Sequence, residues 1–136
     1  NVIPNEVVAT FEMRHMDKAV TDQFYADIQA MAKEISNCEF TFVNTVAKYS
    51  TPCDPALIDT IDHVCTGLNI SHIIMPSGAG HDANPMAHEG VPIGMVFVPS
   101  VKGISHHGDE WTDPKHIDLG ADVLYETVLA LDKTDL

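Results

Sequence analysis

Residues 93–98 read Ile-Gly-Met-Val-Phe-Val, six positions without a charged or polar side chain. A strand with one wet face alternates polar and apolar residues, so an unbroken apolar run suits a strand covered on both faces, as in a parallel sheet. The cover for such a sheet comes from helices, and the segment therefore predicts an α/β layer. Helices are available on either side in sequence. Asp54-Pro55 is a helix start with an N-cap followed by proline at the first helical position, and Leu57, Ile61, Val64 and Leu68 then recur at helical spacing. Asp113-Pro114 repeats the same start ahead of Ile117, Ala121, Leu124, Val128 and Leu131. Ser71 to Met75 adds a short apolar strand, and Pro76 to Gly80 a glycine-rich turn leading into a helix near Asp82 to His88. Residues 51–136 thus read helix, strand, helix, strand, helix.

The first fifty residues follow a different pattern. Val7, Ala9, Phe11 and Met13 share one parity while Glu6, Thr10, Glu12 and Arg14 share the other, as a half-buried strand requires. Asp17 can cap a helix whose face is Val20, Phe24, Ile28, Met31 and Ile35, and Glu39 to Val46 returns to β-branched and aromatic residues. This strand-helix-strand piece is too small to close a core alone. The break falls at Lys48 to Asp54, a turn-rich stretch, so the chain is expected to divide into residues 1–50 and 51–136.

Charge narrows the function. Twenty acidic against seven basic residues give −13, and Arg14 is the sole arginine, which excludes a phosphate-neutralising surface and with it nucleic acid. With 45% hydrophobic and 20% charged residues the chain is too apolar for disorder and too often interrupted by charge for a membrane span. Cys38, Cys53 and Cys65 form an odd set without a Cys-x-x-Cys pair, as expected for reduced thiols in a cytoplasmic protein.

Three places could carry chemistry. In the turn Ser77-Gly78-Ala79-Gly80-His81-Asp82-Ala83, small residues would let a ligand approach backbone N–H groups; the competing reading is a connection that needs glycine only to turn. The turn lacks the lysine and hydroxyl residue of a nucleoside-triphosphate loop. The loop Pro99 to Trp111 follows the buried strand and holds His106, His107, Asp109 and Glu110, in which imidazoles can bind metal and carboxylates can orient them. One loop supplies too few ligands for a whole site, and a surface His-His pair in a polar loop is more often solvated than ligating. Arg14 ends the first strand, where a guanidinium can hold a carboxylate through paired hydrogen bonds or form a surface ion pair with one of the many acids.

Four motifs occur together: Asn1-Val2-Ile3-Pro4 with Met13-Arg14-His15, then Pro76 to Ala83, then Gly94 to Ser100, then Gly103-Ile104-Ser105-His106 with Asp109-Glu110-Trp111-Thr112. In order and spacing they closely resemble the carbamoylase and allantoate amidohydrolase family of the aminoacylase-like metallopeptidase superfamily. The resemblance covers almost the whole chain. It implies a homodimeric enzyme whose α/β catalytic domain holds two divalent metal ions, zinc or manganese, and is interrupted by an α+β lid that carries the dimer contact. Residues 1–50 then correspond to the close of the lid and 51–136 to the end of the catalytic domain. By the same resemblance, Asn1 and Arg14 grip the carboxylate of a small-molecule substrate, Gly80 and His81 contact it from the turn, and His106 is the last metal ligand. The sequence departs from the family pattern at Asn5, at Glu12-Met13 and at His107-Gly108; His106 is kept as the ligand because it follows Gly-Ile-Ser.

The family reaction is hydrolysis of a linear amide or ureido C–N bond. Its other metal ligands and its general base belong to motifs absent from these residues, so the chain is expected to be part of a larger amidohydrolase and inert alone, with no catalytic residue of its own. The alternative is a non-catalytic carboxylate-binding or assembly module derived from the same family.

Overall fold

The computed structural model describes residues 1–45 and 50–133. Val46, at the end of the second expected strand, and Lys48 and Tyr49, at the start of the expected break, lie outside the described residues. The chain divides into two compact units, Asn1–Ser50 and Thr51–Leu136, each described by itself.

The first unit is built around α1, Lys18–Lys33. Asp17 sits in extended backbone and its carboxylate accepts the N–H of Ala19 at 2.8 Å, the cap expected from its position. Phe40 and Phe42 lie nearly parallel with ring centroids 6.5 Å apart, and Phe42 meets Tyr25 of α1 edge-on at 6.1 Å. Side chains two residues apart on one side are what strand-like backbone produces. Yet no strand is formed among the described residues. A ladder needs a neighbour's N–H and C=O groups, and an isolated pair of strands is marginal in water. The expected strand at 7–13 leaves Val7 and Phe11 more than 70% exposed, and the apolar face of α1 buries no residue completely.

In the second unit α2 (Pro55–Gly67), α3 (Ala83–His88) and α4 (Pro114–Leu131) are joined by loops and a 3-10 turn at Val101–Gly103. Asp54 accepts from the N–H groups of Ala56 and Leu57, and Asp113 from that of Lys115, so both aspartate-proline starts form as expected. At the far end of α2, Asn69 takes the left-handed conformation, φ 56°. Ile70 N–H donates to the Cys65 carbonyl and Asn69 N–H to that of Thr66, which satisfies the last turn's carbonyls in a Schellman motif.

Among the described residues α2 and α4 are the one helix pair that packs. Cys65 of α2 and Val123 and Thr127 of α4 are buried, and the Thr127 hydroxyl donates to the Val123 carbonyl at 2.7 Å, so the threonine carries no unsatisfied polar group inside. Ile117, Leu124 and Val128 of α4 are more than half exposed, whereas Val123 and Thr127 of the same helix are buried. The helix is apolar on two sides, so periodicity alone did not decide which side meets α2.

The 93–98 run lies on this helical layer. Asp54 N–H donates to the Ile93 carbonyl at 2.8 Å, and Ile93 is buried. A Cβ on Gly94 would stand 3.1 Å from Leu57 Cβ of α2, and one on Gly120 of α4 would stand 2.5 Å from Val98 Cγ1. Glycine at these two contacts lets the run approach both helices. The run's other side is open, with Phe97 53% exposed, and Ile73 and Ile74 of the neighbouring expected strand are more exposed still. The run thus has its helical cover on one side only. The strand pairing expected for it is not formed among the described residues.

Candidate functional site

The loop after the 93–98 run is closed at its neck. Val101 N–H donates to the Trp111 carbonyl at 2.8 Å, and the Ser100 hydroxyl donates to the Ile104 carbonyl at 2.6 Å. Inside the loop three residues are left-handed: Lys102, Gly103 and His106, the last at φ 55°. A non-glycine residue held there costs on the order of 1–3 kcal/mol and persists only where its surroundings impose it. At His106 the restraint is visible, since its backbone N–H donates to Glu110 Oε2 at 2.8 Å. The carboxylate therefore orients the loop through the backbone rather than through the imidazole.

The adjacent histidines are used differently. His107 Nδ1 accepts the Asp109 N–H at 3.1 Å, which turns that ring into its own loop. The Asp109 carboxylate is 3.6 Å from the same nitrogen, but a nitrogen that accepts from an N–H carries no proton to share, so this is not a charge pair. The exposed ring of His106 has no hydrogen bond to any described residue, which leaves it open to an outside partner. No group of three or more His, Cys, Asp or Glu side chains able to hold a metal ion occurs among the described residues. Zinc takes three or four protein ligands. A complete metal centre does not fit within the described residues.

The turn before α3 is closed by a side chain. Ser77 Oγ lies 2.7 Å from His81 Nε2 and accepts the Ala79 N–H at 3.2 Å, while the His81 ring packs against Phe97 with centroids 5.4 Å apart. Neither Gly78 nor Gly80 is left-handed, and a Cβ on either would meet nothing within 4 Å. The turn therefore does not need glycine for its own conformation or packing.

In the first unit Arg14 Nε donates to Glu12 Oε1 at 2.7 Å, with both side chains more than 60% exposed. The two residues share a strand parity, which puts the carboxylate beside the guanidinium. Pairs this exposed contribute about 0–1 kcal/mol, so a competing carboxylate can displace Glu12. Asn1 is exposed. Asn1 and Arg14 thus belong to one unit, and Gly80, His81 and His106 to the other.

Two features escaped the sequence reading. The Ser77–His81 bond follows from a serine four residues before a histidine across a turn of small residues. The other is His72, whose Nε2 lies 2.7 Å from Asp62 Oδ1 and whose Nδ1 lies 2.9 Å from the Ile70 carbonyl. Both partners are acceptors, which favours the doubly protonated ring. The hydrogen bond to Asp62 first, then that to Ile70, raises its pKa above the ordinary histidine value. A raised folded-state pKa gives stability that is fully present below the unfolded value of about 6.5 and is lost as pH rises through the folded one. In an NMR titration His72 is expected to retain its proton to higher pH than an unperturbed histidine, and Asp62→Asn to reduce the difference without removing it, since the Ile70 carbonyl remains; an ordinary midpoint in the parent protein would refute it. Burial, with the Asp62 charge adding, pushes the Cys65 thiol up, so this cysteine is a core group and not a nucleophile.

A model of peptidase family M20/M25/M40 matches residues 4–130. The chain belongs to that family. This M20-family chain is 35% identical over 132 residues to an N-carbamoyl-L-amino-acid amidohydrolase of Pseudomonas sp. (strain NS671), covering 95% of the chain and 32% of that protein. It is 33% identical over 117 residues to an allantoate amidohydrolase of Escherichia coli (strain K12), covering 83% of the chain and 28% of that protein. A crystal structure assigned to an amidohydrolase/peptidase of Burkholderia cenocepacia superposes with a TM-score of 0.77 at 35% identity, over 89% of this chain and 30% of that one. The M20-family chain thus spans about a third of the length of the curated relatives it matches. Among the described residues no helix is long and apolar enough to cross a membrane.

Proposed function

We propose that these residues are part of a metal-dependent amidohydrolase that cleaves a linear amide or ureido C–N bond in an N-carbamoyl amino acid or allantoate. Identity of 35% across nearly the whole chain to a carbamoyl-amino-acid hydrolase, with a third of that enzyme's length covered, carries the reading. On this reading residues 1–50 belong to a lid that also forms a homodimer contact, and residues 51–136 to the end of an α/β catalytic domain. The open side of the 93–98 run supports it, since the rest of such an enzyme would cover that side. Three free thiols agree with a cytoplasmic enzyme.

Each residue then has a task set by its chemistry. Arg14 exchanges Glu12 for the substrate carboxylate and holds it by two parallel N–H bonds, and the Asn1 amide donates a further one. The Gly80 N–H and the His81 ring meet the substrate from the turn. His106 supplies one imidazole to a divalent metal site, zinc or manganese, whose remaining donors lie in other parts of the enzyme, as does the general base. Bound there, the metal pair would supply the activated water for hydrolysis.

The test is made on the full-length protein that contains these residues. It is expected to hydrolyse at least one of the two substrate classes, and His106→Ala is expected to retain bound metal roughly a hundredfold more weakly, read by elemental analysis after dialysis. Full metal content in His106→Ala removes that residue from the centre. Carboxylate binding without turnover in the wild type supports the non-catalytic module instead.

A further inference from the structure

We propose that Ser77 is a positioning residue that fixes the tautomer of His81, so that the ring presents a protonated Nδ1 to the substrate. The inference rests on the reading of His81 as a substrate-contacting residue and concerns how its ring is prepared for that contact.

The Ser77 hydroxyl stands between two groups. It accepts the Ala79 N–H at 3.2 Å and lies 2.7 Å from His81 Nε2. A hydroxyl has one proton to donate and two lone pairs. With the Ala79 N–H occupying one lone pair, donating the proton to Nε2 completes a chain from backbone amide through hydroxyl to imidazole, in which each bond polarises the next. Nε2 is then the acceptor and the neutral ring carries its proton on Nδ1. That nitrogen has no hydrogen-bond partner among the described residues and remains for an acceptor from outside. Phe97 packs on the ring at 5.4 Å and restricts its swing, so serine and phenylalanine together set both the proton and the plane. Without the hydroxyl the two tautomers become closely matched in energy, and only one presents a donor at Nδ1.

The serine is not needed to shape the turn by strain. No residue from Ser77 to His81 is left-handed, and the Ala79 N–H, in an exposed turn, can turn to water if the hydroxyl is lost. A structural role alone therefore predicts little effect from its removal.

The experiment uses the full-length enzyme with carbamoyl-amino-acid and allantoate substrates. Ser77→Ala is expected to lower kcat/KM roughly five- to tenfold, the fold-change of one neutral hydrogen bond, and Ser77→Thr, which keeps the hydroxyl, to recover most of it. His81→Ala should lose more, and the double variant Ser77→Ala/His81→Ala no more than His81→Ala, because the serine acts only through the ring. Nitrogen-15 spectra of histidine-labelled enzyme should show His81 protonated at Nδ1 in the wild type and mixed in Ser77→Ala. An Nδ1 resonance without its proton in the wild type, or additive losses in the double variant, overturns the proposal. If the wild-type enzyme hydrolyses neither substrate class, the functional reading fails, and the nitrogen spectra still decide the tautomer independently.

Discussion

Expressed alone, the 136-residue chain is expected to bind a hydrophobic dye strongly, to unfold without a cooperative transition and to show no amidohydrolase activity with zinc or manganese added. The buried apolar side chains among the described residues are Cys65, Ile93 and Val123, too few for the core of a domain of this length. The residues left open are large: Phe11, Phe24, Ile73, Ile74, Phe97 and Leu124 are all more than half exposed. Supplying the remainder of the enzyme in trans should remove dye binding and restore a single sharp transition. A sharp denaturation curve and His106-dependent turnover from the isolated chain would falsify the view that these residues are completed by a longer polypeptide.

Replacing Arg14 by alanine in the full-length enzyme is expected to raise KM for carboxylate substrates roughly ten- to a hundredfold, with kcat changed far less. A hydrogen bond to a charged group contributes about 1.5–3 kcal/mol, and the loss falls on ground state and transition state alike because the carboxylate lies away from the bond that breaks. Lysine at this position should recover only part, since it lacks the planar pair of donors. Glu12→Gln should move KM modestly the other way, because the carboxylate that occupies the guanidinium in the absence of substrate is then neutral. An unchanged KM in Arg14→Ala removes the residue from the substrate site.

The helices were legible because their signals are local. Asp17, Asp54 and Asp113 announce their own caps, and the proline that follows two of them fixes the first turn. The strands were legible as pattern and form no ladders among the described residues, since alternation at 7–13 and the apolar run at 93–98 describe what a segment would bury without supplying a partner. The side of α4 that meets α2 was not legible for a related reason: Ile117, Leu124 and Val128 are at least as apolar as Val123 and Thr127, and nothing local distinguishes a face covered by α2 from one left open. At the candidate site, the motifs picked out the His106 loop and the Gly80 turn. They could not show that Glu110 holds His106 by its backbone or that Ser77 reaches His81, because those bonds depend on loop geometry.

The packing of α2 on α4 also fixes an order of events during synthesis. α2 ends at Gly67 and α4 runs from Pro114 to Leu131, so at about 5–20 residues per second the ribosome needs roughly 3–13 s to deliver the whole helix that covers Cys65. Through that interval the thiol lacks the burial that later raises its pKa, and it meets the surrounding medium as an ordinary cysteine. Until α4 arrives, the thiol that the finished fold buries is therefore as open to oxidation as the two that it leaves nearer the surface.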